Sequence, residues 1–220
     1  MEQFRAGIAG GRRERGFSLV EVSIVTAIVL LIAIVGIPAI GSYVIENKVP
    51  KVAEELQRFI VSMRVNAQGG GVTPYAGLDT GAMANMLRDS SVLSVQGSGP
   101  SARIAHGLGG SGTGSSGVVQ VAATSLAGAG VGAAFTVTLN NVSNAACPAL
   151  ASVLQRVSEV ISIEGDNGSG VVKNALAVPA VPYRAALAQT RCSQGDTNTF
   201  VFTAKCCLLY TSDAADDTPC

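Results

Sequence analysis

The sequence predicts an α+β protein: a long N-terminal helix, membrane-spanning and then amphipathic, packed against an antiparallel β-sheet head. Three observations predict it. Residues 22–45, VSIVTAIVLLIAIVGIPAIGSYVI, contain no charged side chain. As a helix they reach about 36 Å, more than the ~30 Å hydrocarbon core of a bilayer. Directly beyond them, in KVAEELQRFIVSMRVNAQ, apolar residues recur at helical spacing. Further on, short strand-like runs separated by turn residues gather after that leading helix, a pattern that favours a sheet laid on it.

Composition narrows the classes. Lys+Arg and Asp+Glu both number 15, so no overall charge points to nucleic acid or to an acidic partner. Trp is absent and aromatic residues make up 5% of the chain, so the core must be built from Ala, Val, Leu and Ile. Such side chains bury less area each, and a small head made of them gains from a covalent staple. The chain has five Cys, which in an exported protein can pair.

The first element is a basic leader over 1–16, with Arg5, Arg12, Arg13 and Arg15 against Glu2 and Glu14. This positive flank stays in the cytoplasm and places everything after Ile45 outside. An ordinary secretory signal would be cut behind its apolar run. Gly36 and Ala39 are small enough, but a cut there would destroy the span. The small residue at the junction is instead Gly16, followed by Phe17-Ser18-Leu19-Val20-Glu21. An acid at the start of a span costs at most about 2.5–3.5 kcal/mol, and less near the interface. Glu21 therefore asks for a partner, whereas Thr26 can satisfy itself on the i−4 carbonyl.

In Gly16, Phe17 and Glu21 the chain resembles the type IV pilins and their pseudopilin relatives. Their signature is a basic leader ending in Gly, cleavage before a hydrophobic residue (often Phe), and Glu at the fifth mature position, ahead of an apolar helix. The resemblance implies that a prepilin peptidase cuts between Gly16 and Phe17 and methylates the new amine of Phe17. It implies that Glu21 neutralises the N-terminal amine of a neighbouring subunit during filament assembly. Opposite charges in an apolar filament core are tolerable together and costly apart. The implied partners are identical subunits in a helical filament, the peptidase, the pilus assembly machinery and the inner membrane of a Gram-negative bacterium, from which the subunit passes into an extracellular pilus. Neither a cofactor, a metal nor an enzymatic activity is implied, and no specific nucleic-acid site is evident.

The long helix is expected over 17–68, with its transmembrane half at 22–45. Gly36 and Pro38 interrupt it, since Pro removes an i−4 hydrogen bond and kinks a helix interior. Many pilins are similar in having a Pro near that depth. Pro50 marks a second bend. Val52, Leu56, Phe59, Ile60 and Met63 form the stripe that packs on the head, and Gly69-Gly70-Gly71 stops the helix. The head then covers 69–205. Within it we expect a helix over 80–89 capped by Asp79 or Thr80, a flexible Gly/Ser-rich loop over 97–117, and strands over 118–123 and 133–139. A helix over 145–157, capped by Ser143 or Asn144, and strands over 160–163 and 199–203 complete it.

Cys147 opens the second head helix and Cys192 lies just before the last strand. A bridge between them would close a loop worth about 4 kcal/mol in chain entropy. The resemblance points the same way, because pilins commonly close a C-terminal loop with a disulfide. The long loop, the large head, and FTVTLNNVSNAACPAL followed late by CSQGDTNTFVF are similar to the type IVb branch, the thin-pilus and toxin-coregulated-pilus subunits. Phe17 and the short leader depart from it toward type IVa. Residues 206–220, CCLLYTSDAADDTPC, resemble translated adapter read-through, the alternative being an acidic tail in which Cys206 or Cys207 pairs with Cys220.

Other chemistry is thinly represented. Gly107-x-Gly109-x-x-Gly112 and Gly112-x-Gly114-x-x-Gly117 lack both the acidic ribose partner and a following Lys, so they read as loop and not as a nucleotide cradle. His106 is the single His and reads as a loop residue. Asn141-Val-Ser143 and Asn167-Gly-Ser169 fit the glycosylation string by chance. A minor pilin or secretion pseudopilin is the alternative within the family, where a calcium site could draw only on Glu164, Asp166 and Asp196. A membrane-anchored periplasmic enzyme or binding module is the alternative of another class, but it lacks a nucleophile–base pair and gives no reason for Gly16 and Glu21.

Overall fold

Apolar residues on every side of a helix need a non-aqueous neighbour, whereas a stripe needs only one packed face. Both patterns occur along α1, Leu19–Asn66. The computed structural model describes residues 16, 18–68, 70–126 and 128–206. They fall into two compact units divided between Gly41 and Ser42. Helical structure continues through Gly36, Pro38 and Pro50. In the second unit Val49, Val52, Ala53, Leu56, Phe59, Ile60 and Ala67 of α1 are buried, and Met63 packs beside them. This is the expected stripe. Glu54 and Arg58 pair at 3.3 Å on the exposed face, where such a pair contributes little.

The head adds α2 (Thr80–Met86), β1 (Ser94–Gln96), β2 (Arg103–Ala105), β3 (Val118–Thr124), β4 (Ala134–Val142), α3 (Cys147–Leu154), β5 (Val160–Gly165), β6 (Gly168–Asn174), α4 (Ala185–Arg191) and β7 (Asn198–Lys205). The strands form one seven-stranded sheet in the order β1-β2-β3-β4-β7-β5-β6, antiparallel at every pairing. The last strand in sequence thus lies in the interior, between β4 and β5. One face is apolar: Val119 and Val121 of β3, Phe135, Val137 and Leu139 of β4, Ile161 and Ile163 of β5, and Phe200 and Phe202 of β7 are all buried. Phe59 of α1 meets Phe135 edge-on at 6.2 Å, which fixes the helix stripe over the sheet. Gln57 donates to the Val153 carbonyl at 2.8 Å and ties α1 to α3.

Several expectations hold and several are corrected. Asp79 caps α2, its carboxylate accepting from the Ala82 N–H at 2.8 Å. The expected caps of α3 fail: the helix follows a 3-10 turn at Asn144–Ala146, and neither Ser143 nor Ala146 makes a side-chain cap bond. Asn144 instead donates to the Ser193 carbonyl. Strands β1, β2 and β6 and helix α4 were not expected.

The Gly/Ser-rich stretch is not a flexible loop. It contains β2 and a turn so closely packed that a Cβ at Gly109 would lie 2.6 Å from the Asn141 oxygen and the Ser143 nitrogen. Gly109 and Gly117 both hold positive φ, and a Cβ on Gly117 would lie 2.6 Å from the Gly109 oxygen. A side chain at either place would push the backbones apart.

Gly81 supplies a first test. In an isolated helix Gly→Ala stabilises by up to about 1 kcal/mol. Here the new methyl would lie 2.4 Å from the carbonyl oxygen of Gly99, and overpacking against backbone costs about 1–3 kcal/mol. Packing wins, so Gly81→Ala is expected to lower the denaturation midpoint. A midpoint at or above wild type would show that the contact yields.

Candidate functional site

Between Leu19 and Gly41, α1 carries three polar side chains, Glu21, Ser23 and Thr26, and they differ in how they are satisfied. Ser23 donates to the Val20 carbonyl at 2.8 Å. Thr26 lies 3.0 Å from the Val22 and Ser23 carbonyl oxygens, as its helical position predicts. Glu21 sits in the first turn, is exposed, and has no ion-pair partner among the described residues. Around it Leu19, Val20, Val22, Ile24, Val25, Ile28, Val29, Leu30, Leu31 and Ile32 are each at least 48% exposed. One carboxylate thus stands among exposed apolar side chains, with no ion-pair partner among the described residues. Gly16, at the expected cut, is exposed; Phe17 and the leader lie outside the described residues. So do the side chain of Pro38 and the tail beyond Cys206.

The second feature is in the head. Cys147 and Cys192 form a disulfide with Cα atoms 5.9 Å apart. It joins the first residue of α3 to the C-cap of α4, so the loop between them carries β5, β6 and α4. Three Asn side chains hold its closing segment. Asn167 donates to the Cys192 carbonyl at 3.0 Å. Asn198, fully buried, accepts from the Ser193 N–H at 2.7 Å and donates to the Val142 and Ser193 carbonyls. Asn144 takes the Ser193 carbonyl as well. Every polar atom of Asn198 is used, which is what permits an amide so deep in the core.

A third cluster joins α1 to this region. Arg64 contacts Glu159 at 3.0 Å. Lys173 of β6 donates to the carbonyls of Gln155 and Ser158 just past α3. Burial pushes the Lys173 ammonium below its ordinary value; Glu159 opposes that shift and Arg64 adds to it.

The remaining candidates are placed otherwise. Among the described residues no three His, Cys, Asp or Glu converge to hold a metal. Asp196 accepts from the Gly110 N–H at 2.9 Å. The side-chain amides of Asn141 and Asn167, both in glycosylation strings, are engaged with the Asp196 and Cys192 carbonyls. His106 directly follows β2 in the β2–β3 connection, a loop position as expected, but its side chain is fully buried, and no local sequence signal marks that.

Residues 114–205, from the turn before β3 to the end of β7, match the family described as "PilS N terminal". Two solved structures are similar. One is the type IVb pilin from Salmonella typhi, at 21% identity over 69% of this chain and 94% of that one, with a TM-score of 0.45. The other is TcpA, a type IV pilin from the Vibrio cholerae El Tor biotype, at 14% identity over 72% and 99%, with a TM-score of 0.46. Among curated proteins nothing matches. The family match lies wholly within the head and covers less than half of the chain, which beside it carries a long apolar N-terminal helix, an antiparallel sheet and a disulfide-closed C-terminal region.

Proposed function

We propose that the chain is the subunit of an extracellular type IV pilus, made as a membrane-held precursor, cut between Gly16 and Phe17, methylated at Phe17, and polymerised through its apolar helix. The observation that carries this reading is Glu21, the single charge on an otherwise apolar and uncovered helix half. A lipid bilayer covers the apolar side chains before assembly, and the helices of identical subunits cover them afterwards. The new amine at Phe17 of a neighbouring subunit is the cation that Glu21 lacks among the described residues of its own chain. Gly36 and Pro38 weaken the helical ladder at mid-span and let it loosen during the transfer. A prepilin peptidase and an assembly machinery in the inner membrane of a Gram-negative cell are the partners this reading requires.

The test is intact-mass analysis of the exported protein. It should begin at Phe17 and carry one added methyl. A mature start beyond Ala39 would identify an ordinary signal peptide and overturn the reading, because no span would remain to assemble.

A further inference from the structure

We infer that His106 is a proton-operated latch: when neutral it joins the β2–β3 loop, the bulge of β4 and the segment after Cys192, and protonation releases them. The inference is independent of filament assembly and rests on the geometry around the ring.

Strand β4 slips register against β7 between Leu139 and Val142, and Asn141 within the slip holds φ at 57°. Two residues thus face one on the partner strand, and the Asn140 carbonyl is left to the His106 ring, 2.9 Å from Nε2. On the other side of the ring Nδ1 accepts the Leu108 N–H at 3.0 Å. That bond fixes the tautomer: Nδ1 holds the lone pair, so Nε2 carries the hydrogen and donates to Asn140.

The residues the ring orders lead on to the rest of the junction. Leu108 accepts from the Ser143 N–H at 2.9 Å. Gly110 donates to the Asp196 carboxylate, and the Asn141 amide donates to the Asp196 carbonyl at 3.0 Å. One imidazole therefore stands where three backbone segments meet.

A second proton would have to sit on Nδ1, where the Leu108 N–H already points. Two donors would then face each other in a site that is fully buried, so the bond must break and the loop must move. The charged groups facing the junction are Asp196, from the segment between α4 and β7, and Lys48 of α1, whose ammonium lies 3.7 Å from where a Cβ on Gly107 would be. Asn140 and Gln120, on β4 and β3, are neutral. Burial lowers the His106 pKa, with the Asn140 carbonyl and Asp196 opposing more weakly.

The direction of the pH effect follows from that shift. The open loop, with an ordinary imidazole value near 6.5, binds the proton before the closed one does. Closure is therefore complete above about pH 6.5 and is lost as pH falls from there toward the lower value of the closed state. The loss approaches tenfold per pH unit.

The experiment uses the full mature chain in detergent micelles. Because the chain has one His, its imidazole NMR signal is unambiguous, and amide exchange can be followed in the same samples. Between about pH 7.5 and 5.5 the imidazole should stay neutral below its ordinary value near 6.5. The protection factors of the Leu108 and Gly110 amides should fall over that range, toward tenfold per unit, while those of β7 hold. In His106→Gln, which keeps a donor for Asn140 but cannot titrate, loop protection should not change with pH. Asp196→Asn should leave the wild-type pH dependence in place. An imidazole titrating at its ordinary value with loop protection constant would overturn the latch, and so would an unchanged pH dependence in His106→Gln. If the Gln variant does not fold, the wild-type titration set against its own loop protection decides.

Discussion

Glu21→Gln is expected to abolish or sharply reduce sheared surface filament while processed subunit accumulates normally in the membrane. Gln keeps the shape and removes the charge, so the variant separates electrostatics from packing; Glu21→Ala should behave alike. Nothing in the described chain pairs with Glu21, and its flanking side chains are exposed and apolar. The head lies in a separate compact unit, after Ser42, so export and head folding should be indifferent to the change. In a filament core the carboxylate and a neighbour's amine would be desolvated together. Removing one partner of such a pair costs about 3–5 kcal/mol, which at ~3 kcal/mol already weakens each subunit addition more than a hundredfold. Wild-type filament yield from both variants, measured against processed subunit, would remove the pairing role and the mechanism built on it.

The second large effect is expected from Cys192→Ala. The bridge to Cys147 closes a long loop, and the chain-entropy account assigns it about 4 kcal/mol. For a head of this size that corresponds to a fall of roughly 10 °C in melting temperature. Both sulfurs are buried, so the variant also leaves space that α3 and α4 can only partly fill. Asn144, Asn167 and Asn198 still hold the backbone after Cys192, so the loss should appear as lower stability and not as a different fold. Non-reducing peptide mapping should recover Cys147 and Cys192 in one linked fragment. Free alkylation of both in the folded, exported protein would show the staple to be absent.

The long helix was legible, and Gly16, Phe17 and Glu21 could be nominated, because their signals are local. Twenty-odd uncharged residues, a stripe at Val52, Leu56, Phe59 and Ile60, and a Gly–Phe junction ahead of Glu21 need no tertiary context. The alternation that marks β4 and β7 is local too. What was hidden depends on partners distant in sequence. Strand β6, beginning Gly168-Ser169-Gly170, has little intrinsic strand preference; it exists because β5 supplies a ladder, and the Arg191 guanidinium lies over Gly170. Strands β1 and β2 are three residues each, too short for alternation to register. Helix α4 is seven residues with no side-chain cap, and its bridge to α3 helps to hold it. The burial of His106 was hidden for the same reason: its ring partner, the Asn140 carbonyl, lies in a β4 bulge set by β4–β7 register.

The place of β7 in the sheet also governs when the head can be completed. Strands β1 to β4 form one group and β5 with β6 another, and only β7 joins them. A head passed across a membrane in chain order, behind an N-terminus that stays on the cytoplasmic side, would present six strands with their apolar faces laid on α1 but with the seam between the two groups open. Both flanking edges, on β4 and β5, would stay unpaired until Asn198–Lys205 emerged, and such edges invite pairing with other chains. Closing the seam joins β4 and β5 to a strand far downstream, a non-local step of the kind that slows folding. Completion of the sheet is therefore gated from the C-terminal end: a chain interrupted before Asn198 has every earlier element and still cannot close it.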